Sequence, residues 1–296
     1  MLSILIPTYN YDVYPLVDRL HQECVQLGIN FEIICSDDAS TVPYPYSKIE
    51  SLSNCYYHIQ VKNMGLSNSR NFLIEKSIYD YNLLLDCDTL PVSKDFVKKY
   101  LDGILYHQEK ILSGGLRYQQ ADQAKSKSLR WIYGQSREAI PTAIRQKRPY
   151  NYSLCSNIFF NKKTLKDLRF DRDIKEYGYE DFIFFKNLQK RKIEVYHIEN
   201  SVFHLKVESS LAFLNKTQQA LQTLNGLLME KQITKQDTSL LRTYGILDNL
   251  YLTQSSSWLF SKSQRYFEKN LLSDTPSLFL YDLYKLGYFC SLQRIK

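Results

Sequence analysis

The sequence predicts an α/β fold: a mostly parallel sheet flanked by helices, followed by a helical appendage at the C-terminal end. Three observations predict it. Short apolar runs alternate with segments of helical periodicity at roughly 25-residue intervals from Leu2 to about His107, the rhythm of strand–helix–strand units. The run Leu83-Leu84-Leu85-Asp86-Cys87-Asp88-Thr89 reads as a buried strand that ends by throwing two carboxylates into a cleft. From Ser209 onward Leu211, Leu214, Leu221, Leu224, Leu227 and Leu228 fall at helical spacing.

Taken in order, residues 2–7 form an apolar strand that Pro7 is expected to stop, followed by the polar turn Thr8-Tyr9-Asn10. Leu16, Val17, Leu20, Cys24 and Leu27 mark a helix over 14–27, which Gly28 closes. Phe31 to Ser36 is a second buried strand ending in Asp37-Asp38, and Tyr56–Val61 a third, with a helix opening near Gly65-Leu66-Ser67. A strand over 82–86 and a helix from about Ser93 to His107 follow. Parallel strands joined by right-handed crossovers bring three of these four strand ends, each carrying acids or a polar turn, to one edge of the sheet. Open α/β sheets bind ligands at that edge. Residues 117–150 are basic and poorly periodic, the pattern of a loop or small helical insert over the cleft. A strand at Ser153–Phe160, a helix starting near Glu180 and a strand at Glu194–Ile198 complete a first domain of residues 1–208, with 209–296 helical.

Composition limits the classes of function. The chain has 296 residues, 44% hydrophobic and 23% charged, within the range of soluble globular proteins. Its net charge of +7 is concentrated: between Arg117 and Arg148 eight basic residues face only Asp122 and Glu138, a balance of +6. Such a segment suits a site for phosphates or an acidic surface, and equally a solvated connector. No nucleic-acid motif accompanies the charge, so no nucleic-acid partner is expected. None of the ten glycines forms the G-x-G-x-x-G of a dinucleotide-dependent oxidoreductase. Six cysteines without a C-x-x-C pair read as small core residues of a reducing compartment. The N-terminus lacks a signal sequence and no segment reaches eighteen apolar residues, so a cytoplasmic protein is expected. The stretch Trp258 to Phe289, aromatic and basic, can lie on an anionic membrane surface at the inner face or pack on the main domain, the commoner arrangement.

Four clusters carry candidate chemistry. Asp86 and Asp88 need cations, a metal or water beside three leucines that need a dry strand, and a hard divalent cation on a substrate diphosphate suits such carboxylates. Asp37-Asp38-Ala39-Ser40 can accept hydrogen bonds from a nucleobase or ribose, or simply cap a helix or turn. In Asn63-Met64-Gly65-Leu66-Ser67-Asn68-Ser69-Arg70-Asn71, helix amides and a guanidinium favour a diphosphate; an ordinary surface arginine is the alternative. In Tyr177-Gly178-Tyr179-Glu180-Asp181-Phe182 two acids open a helix, where the dipole alone favours them. Asp181 is remote in sequence from Asp86 and Asp88, which permits a separate role as a general base.

In family order, Ile4 through Asn10, Asp37-Asp38-Ala39-Ser40, Asn63-x-Gly65 with Arg70-Asn71, Asp86-x-Asp88, Ser156-Asn157 and Tyr177 through Asp181 give the chain a clear resemblance over residues 1–205. It resembles the inverting family 2 glycosyltransferases of the GT-A fold, whose core is a Rossmann-like sheet. The resemblance implies a nucleoside-diphosphate sugar donor, most often UDP-linked, a divalent metal (Mn²⁺ or Mg²⁺), and a glycan or lipid-linked acceptor in bacterial surface-polysaccharide synthesis. It implies that Pro7 and Tyr9 line the base pocket, Asp38 meets the uracil, and Asp86 and Cys87 lie against the ribose or sugar. Arg70 would lie near the nucleotide. Asp88 would bind the metal with His204 as a candidate second ligand, although a lone histidine is more often structural. Asp181 would deprotonate the acceptor and Glu180 hold acceptor or donor sugar. The rival readings are a haloacid-dehalogenase-type phosphatase and a non-catalytic nucleotide-sugar-binding protein. Leu90 stands where the phosphatase motif wants threonine, and the intact acids argue against a relic.

Overall fold

A computed structural model describes residues 1–119, 125–174 and 177–293, so Asp122 of the basic segment lies outside the described residues. The chain divides into two compact units.

The first unit takes residues 1–119, 137–174 and 180–206. Its strands are β1 (Leu2–Thr8), β2 (Phe31–Asp37), β3 (Cys55–Ile59), β4 (Tyr81–Leu85), β5 (Thr89–Pro91), β6 (Ile111–Ser113), β7 (Leu116–Tyr118), β8 (Asn157–Asn161), β9 (Val195–His197) and β10 (Val202–His204). Seven form the main sheet in the order β3-β2-β1-β4-β8-β6-β9. Pairs on the β1 side are parallel, as is β6 with β9, whereas β8 runs antiparallel to both β4 and β6. The remaining three make a small sheet in the order β5-β10-β7. Three-residue strands carry too little pattern for sequence periodicity to reveal them, and this small sheet was not expected.

Pro7 does not end β1, contrary to expectation: the strand runs on to Thr8 in register with Asp37. The reason is directional. The Leu2 amide donates toward Asn30 on the β2 side, so amides of odd-numbered residues face β4. Pairing with β4 stops at Leu5, and Pro7 therefore lacks its donor where no partner strand needs one.

Leu5, Ile34, Leu84, Ile158 and Phe160 line one sheet face, covered by Leu73 and Ile74 of the helix Leu66–Lys76 and by Phe184, Phe185 and Leu188 of the helix Glu180–Lys190. Alternation turns Ile4, Ile6, Leu83, Leu85 and Phe159 to the other face, where Phe159 stacks on Tyr100 of the helix Phe96–Tyr106. Leu83, Leu84 and Leu85 are fully buried, each contributing about 1.5–3 kcal/mol relative to exposure.

The second unit takes residues 125–136, 177–179 and 207–293, so it recruits two earlier segments in addition to the helical tail. Ser128, Ser209, Thr238 and Ser277 each accept from an amide of the first helical turn, and so start the helices Leu129–Tyr133, Ser210–Met229, Ser239–Asn249 and Leu278–Leu292. Phe213, Leu214, Phe260, Leu271, Tyr281 and Tyr284 form its core around Leu129. The helices Thr253–Leu271 and Leu278–Leu292 approach closely at Gly287, where a Cβ would meet the Phe260 ring at 2.5 Å. Among the described residues no helix is long and apolar enough to cross a membrane.

Candidate active site

Because β2, β1 and β4 are adjacent and parallel, the chain leaves all three at one sheet edge. The first rim of the site is built there. The Asp38 amide donates to the Thr8 carbonyl, extending the β1–β2 ladder by one bond. Asn10, in a left-handed conformation, accepts from the Thr41 and Val42 amides, and its own amide donates to Ser40. Asp37 accepts from the Ser40 amide and the Tyr57 hydroxyl. The two carboxylate oxygens of Asp38 accept from the amides of Met64 and Gly65 at 2.7 and 2.8 Å, and its carbonyl accepts from Asn63. Asp38 is 5% exposed, so its carboxylate faces this loop, where the family resemblance had it facing a base. Gly65 holds φ 86° and ψ 161°, a combination essentially restricted to glycine, and starts the helix that carries Arg70. Pro7 is buried beneath the rim and Tyr9 exposed above it.

Arg70 organises the second part. It is 1% exposed, and its two terminal nitrogens donate to Asp86 at 2.9 Å and to Asp181 at 2.6 Å. Its plane lies 5.1 Å from the Phe170 ring, and Asn71 fixes Phe170 by one bond to its carbonyl and one from its amide. The expectation that Arg70 faces a diphosphate is therefore corrected: its buried fork is filled by two carboxylates. Burial opposes its charge, but Asp181 and Asp86 outweigh that and hold it firmly protonated. The second oxygen of Asp181 accepts from the Cys155 amide at 2.9 Å, which leaves the side chain fixed and partly open. Burial raises Asp86 above the usual carboxylate range; Arg70 pulls it down, while Asp181 and Asp88 push it up. Glu180 is raised by burial first and by Asp181 second, and its Oε2 is buried without a hydrogen-bond partner. Asp86 and Asp181, distant in sequence, thus meet at one guanidinium, with Glu180 next to Asp181 in the chain.

Asp88 and His204 form the third part, with Nε2 3.6 Å from a carboxylate oxygen. The small sheet produces this pair: β10 runs antiparallel to β5, and the Leu205 amide donates to the Asp88 carbonyl. Tyr118 stacks on the His204 ring at 5.5 Å and donates to Glu138. The Nδ1 of His204 is buried without a partner. Cys87 sits against Thr8 and Tyr9, and burial, then Asp88 and Asp86, push its thiol up to about 12, so it is no nucleophile near neutral pH. Tyr11 is likewise pushed up to about 12, by burial and then by Asp88 and Cys87, and stays a neutral phenol beside them. Tyr11, Tyr118 and the Cys155 amide were missed by sequence reasoning. An amide carries no residue signal, and Tyr118 lies on a strand of three residues.

Among the described residues no three His, Cys, Asp or Glu side chains gather as a metal-binding group. Asp88 and His204 nevertheless fit a divalent cation that takes its other ligands from a bound diphosphate and water, since a carboxylate and an imidazole suit Mn²⁺. Three arginines of the basic segment are engaged within the protein itself. Arg145 is buried, donating to the carbonyls of Ser113, Gly114 and Ile140 and to His197. Arg145 is therefore not available to a phosphate, contrary to the expectation that the basic segment as a whole suits one. Arg117 pairs with Glu199, and Arg130 lies over Phe213.

The sheet edge thus bears carboxylates at two parallel strand ends, those of β2 and β4, and Asp86 after β4 is tied to the remote Asp181 through a buried arginine, an arrangement that places the chain among α/β proteins with a polar site at the strand ends. Residues 3–168 match the profile of Glycosyl transferase family 2, more than half of the chain, and the chain belongs to that family. Membership of that family removes the phosphatase reading, and the mostly parallel sheet flanked by helices is the architecture expected of GT-A enzymes. No curated protein matches the sequence. Solved structures with a similar chain course include S. aureus TarS (17% identity, TM-score 0.47, covering 76% of this chain and 43% of that one). Others are TarS 1–349 with UDP-GlcNAc (17%, 0.45, 75% and 66%) and TarS 1–349 alone (15%, 0.49, 99% and 91%). This chain spans less than half of the first of these and just under two thirds of the second.

Proposed function

We propose that the enzyme moves a sugar from a nucleoside-diphosphate sugar, with UDP as the nucleotide, to a hydroxyl of a glycan or lipid-linked acceptor, inverting the anomeric centre. The observation that carries this reading is the pairing of Arg70 with both Asp86 and Asp181. It sets a rigid carboxylate beside the sheet edge where nucleotides bind.

The nucleotide occupies the rim formed by Pro7, Tyr9 and the Asp37–Ser40 turn, with Asp86 and Cys87 toward the ribose and sugar. Asp181 is held at both oxygens, by Arg70 and the Cys155 amide, and a remaining lone pair takes the proton of the acceptor hydroxyl. The freed oxygen bonds to the anomeric carbon from the face opposite the diphosphate. The bond from that carbon to the phosphate oxygen breaks, and an α-linked donor gives a β-linked product. Glu180 holds the acceptor or the donor sugar. A divalent cation held by Asp88 and His204 would supply charge neutralisation for the departing diphosphate. The expected setting, bacterial surface-polysaccharide assembly, belongs to the same proposal and rests on the family resemblance.

The test uses Asp181→Asn. Transfer should fall by about 1,000-fold or more, while calorimetric UDP affinity in the presence of Mn²⁺ stays within about threefold of wild type. Weakened UDP binding with unaltered turnover would contradict the base assignment. Asp88→Asn should instead abolish the dependence of UDP affinity on Mn²⁺.

A further inference from the structure

The helix Thr253–Leu271 buries one apolar face and leaves exposed a second face of mixed aromatic, aliphatic and basic side chains. Ser257, Phe260 and Leu271 point into the helical unit, where Phe260 packs edge-on against Tyr284 at 5.3 Å. At 100° per residue the opposite arc carries Trp258, Lys262, Arg265, Lys269 and Leu272, with Leu259 and Tyr266 along its flank. Trp258 is 55%, Leu259 61% and Tyr266 66% exposed. The turn that leads into the helix adds Leu250 and Tyr251, also exposed.

Charge on this arc is of one sign. Lys262, Arg265 and Lys269 are exposed, and no acid among the described residues pairs with them. The helix has a single acid, Glu268, which is turned inward and accepts from Gln264 and from the Tyr284 hydroxyl. Three unpaired cations at one-turn intervals, interleaved with tryptophan, tyrosine and leucine, differ from an ordinary solvated face, on which cations alternate with acids. They differ as well from an apolar core face, which would be free of charge.

We infer that this face docks the protein on an anionic lipid surface. The indole and phenol rings would sit at headgroup depth, with Leu259 and Leu272 reaching the acyl boundary and the three cations meeting lipid phosphates. The match is one of charge and of side-chain type: a bilayer interface is wet and negative at the level of the cations and apolar just below it. The inference is independent of the transfer reaction, and its test does not read activity.

The test is co-sedimentation of the full chain with phosphatidylcholine vesicles and with vesicles in which part of that lipid is replaced by phosphatidylglycerol. Binding is expected to the second kind only and to weaken as salt rises. Lys262→Glu/Arg265→Glu/Lys269→Glu should reduce the partition coefficient by about 100-fold or more without changing thermal unfolding, since all three residues are exposed. Bound protein should show a blue shift of tryptophan emission that Trp258→Phe lacks. Equal partition to both vesicle types, no partition, or partition unaffected by the triple charge reversal would overturn the inference. So would self-association by sedimentation equilibrium that Trp258→Ser abolishes, which would make this face a contact between copies of the chain.

Discussion

Arg70 is the residue on which the geometry of the candidate site turns. Its side chain is buried, flat and always charged, and its fork matches two carboxylates at once. A lysine keeps the charge but offers one flexible ammonium, which cannot hold Asp86 and Asp181 in the same fixed relation. Arg70→Lys is expected to lower turnover by about 100-fold, because a misplacement of an ångström at the proposed base, Asp181, has that scale of effect. Arg70→Ala should in addition lower stability by about 3 kcal/mol, since two half-buried carboxylates lose their counter-charge. Steady-state kinetics and denaturant titration of the two variants separate these effects. The sequence places Arg70 on a helix near the site but is silent on its direction. A guanidinium pointing at a diphosphate and one pointing at two acids have the same local pattern, and only the packing of Phe170 over its face distinguishes them.

At the scale of elements, the site depends on three parallel strand ends and one loop. The alternation of apolar runs with helical periods is enough to read β1, β2 and β4, because buried parallel strands need continuous apolar residues on both faces. The continuation of β1 through Pro7 is not readable, because it depends on where β4 stops pairing. The loop before the helix Leu66–Lys76 is held by two amide bonds to Asp38 and by the backbone freedom of Gly65. Gly65→Ala would force an L-residue into a conformation it rarely adopts, at a cost of about 1–3 kcal/mol. The expected outcome is a lower melting temperature together with a raised KM for the donor and a smaller change in kcat. An unchanged melting temperature would show that the loop relaxes freely.

For the whole molecule, pH stability has an identifiable source. His197 is buried with neutral partners and Arg145: Nδ1 accepts from Arg145, and Nε2 faces the Pro149 carbonyl and Ser153. Burial, and then Arg145, lower it from 6.5 to about 4. Between those values the unfolded chain takes up a proton that the folded chain refuses. The stabilisation is therefore complete above the ordinary histidine value and is lost as pH falls toward 4. Going from pH 7 to pH 5 should remove about 2 kcal/mol by this route. Asp86 and Glu180, raised when folded, act in the opposite sense through the carboxylate range. Comparing the pH dependence of denaturant midpoints for wild type and His197→Gln isolates the histidine, and equal slopes would contradict its assignment. The second unit gives a different lesson at this scale. Its helices are legible from leucine spacing, but its recruitment of residues 125–136 and 177–179 is not, since neither segment has a pattern linking it to the tail.

What the sequence determines by itself is the set of local periods and end signals: which runs are strands, which are helices, and that acids stand where parallel strands end. These are short-range properties, governed by burial and backbone preference within a few residues. What only the tertiary structure decides is direction and company. It turns Arg70 and Arg145 inward, draws Asp181 to Asp86 across 95 residues of chain, and uses a three-residue strand to set His204 beside Asp88. Each is a contact between residues distant in sequence, and no local pattern encodes which buried charge will neutralise which.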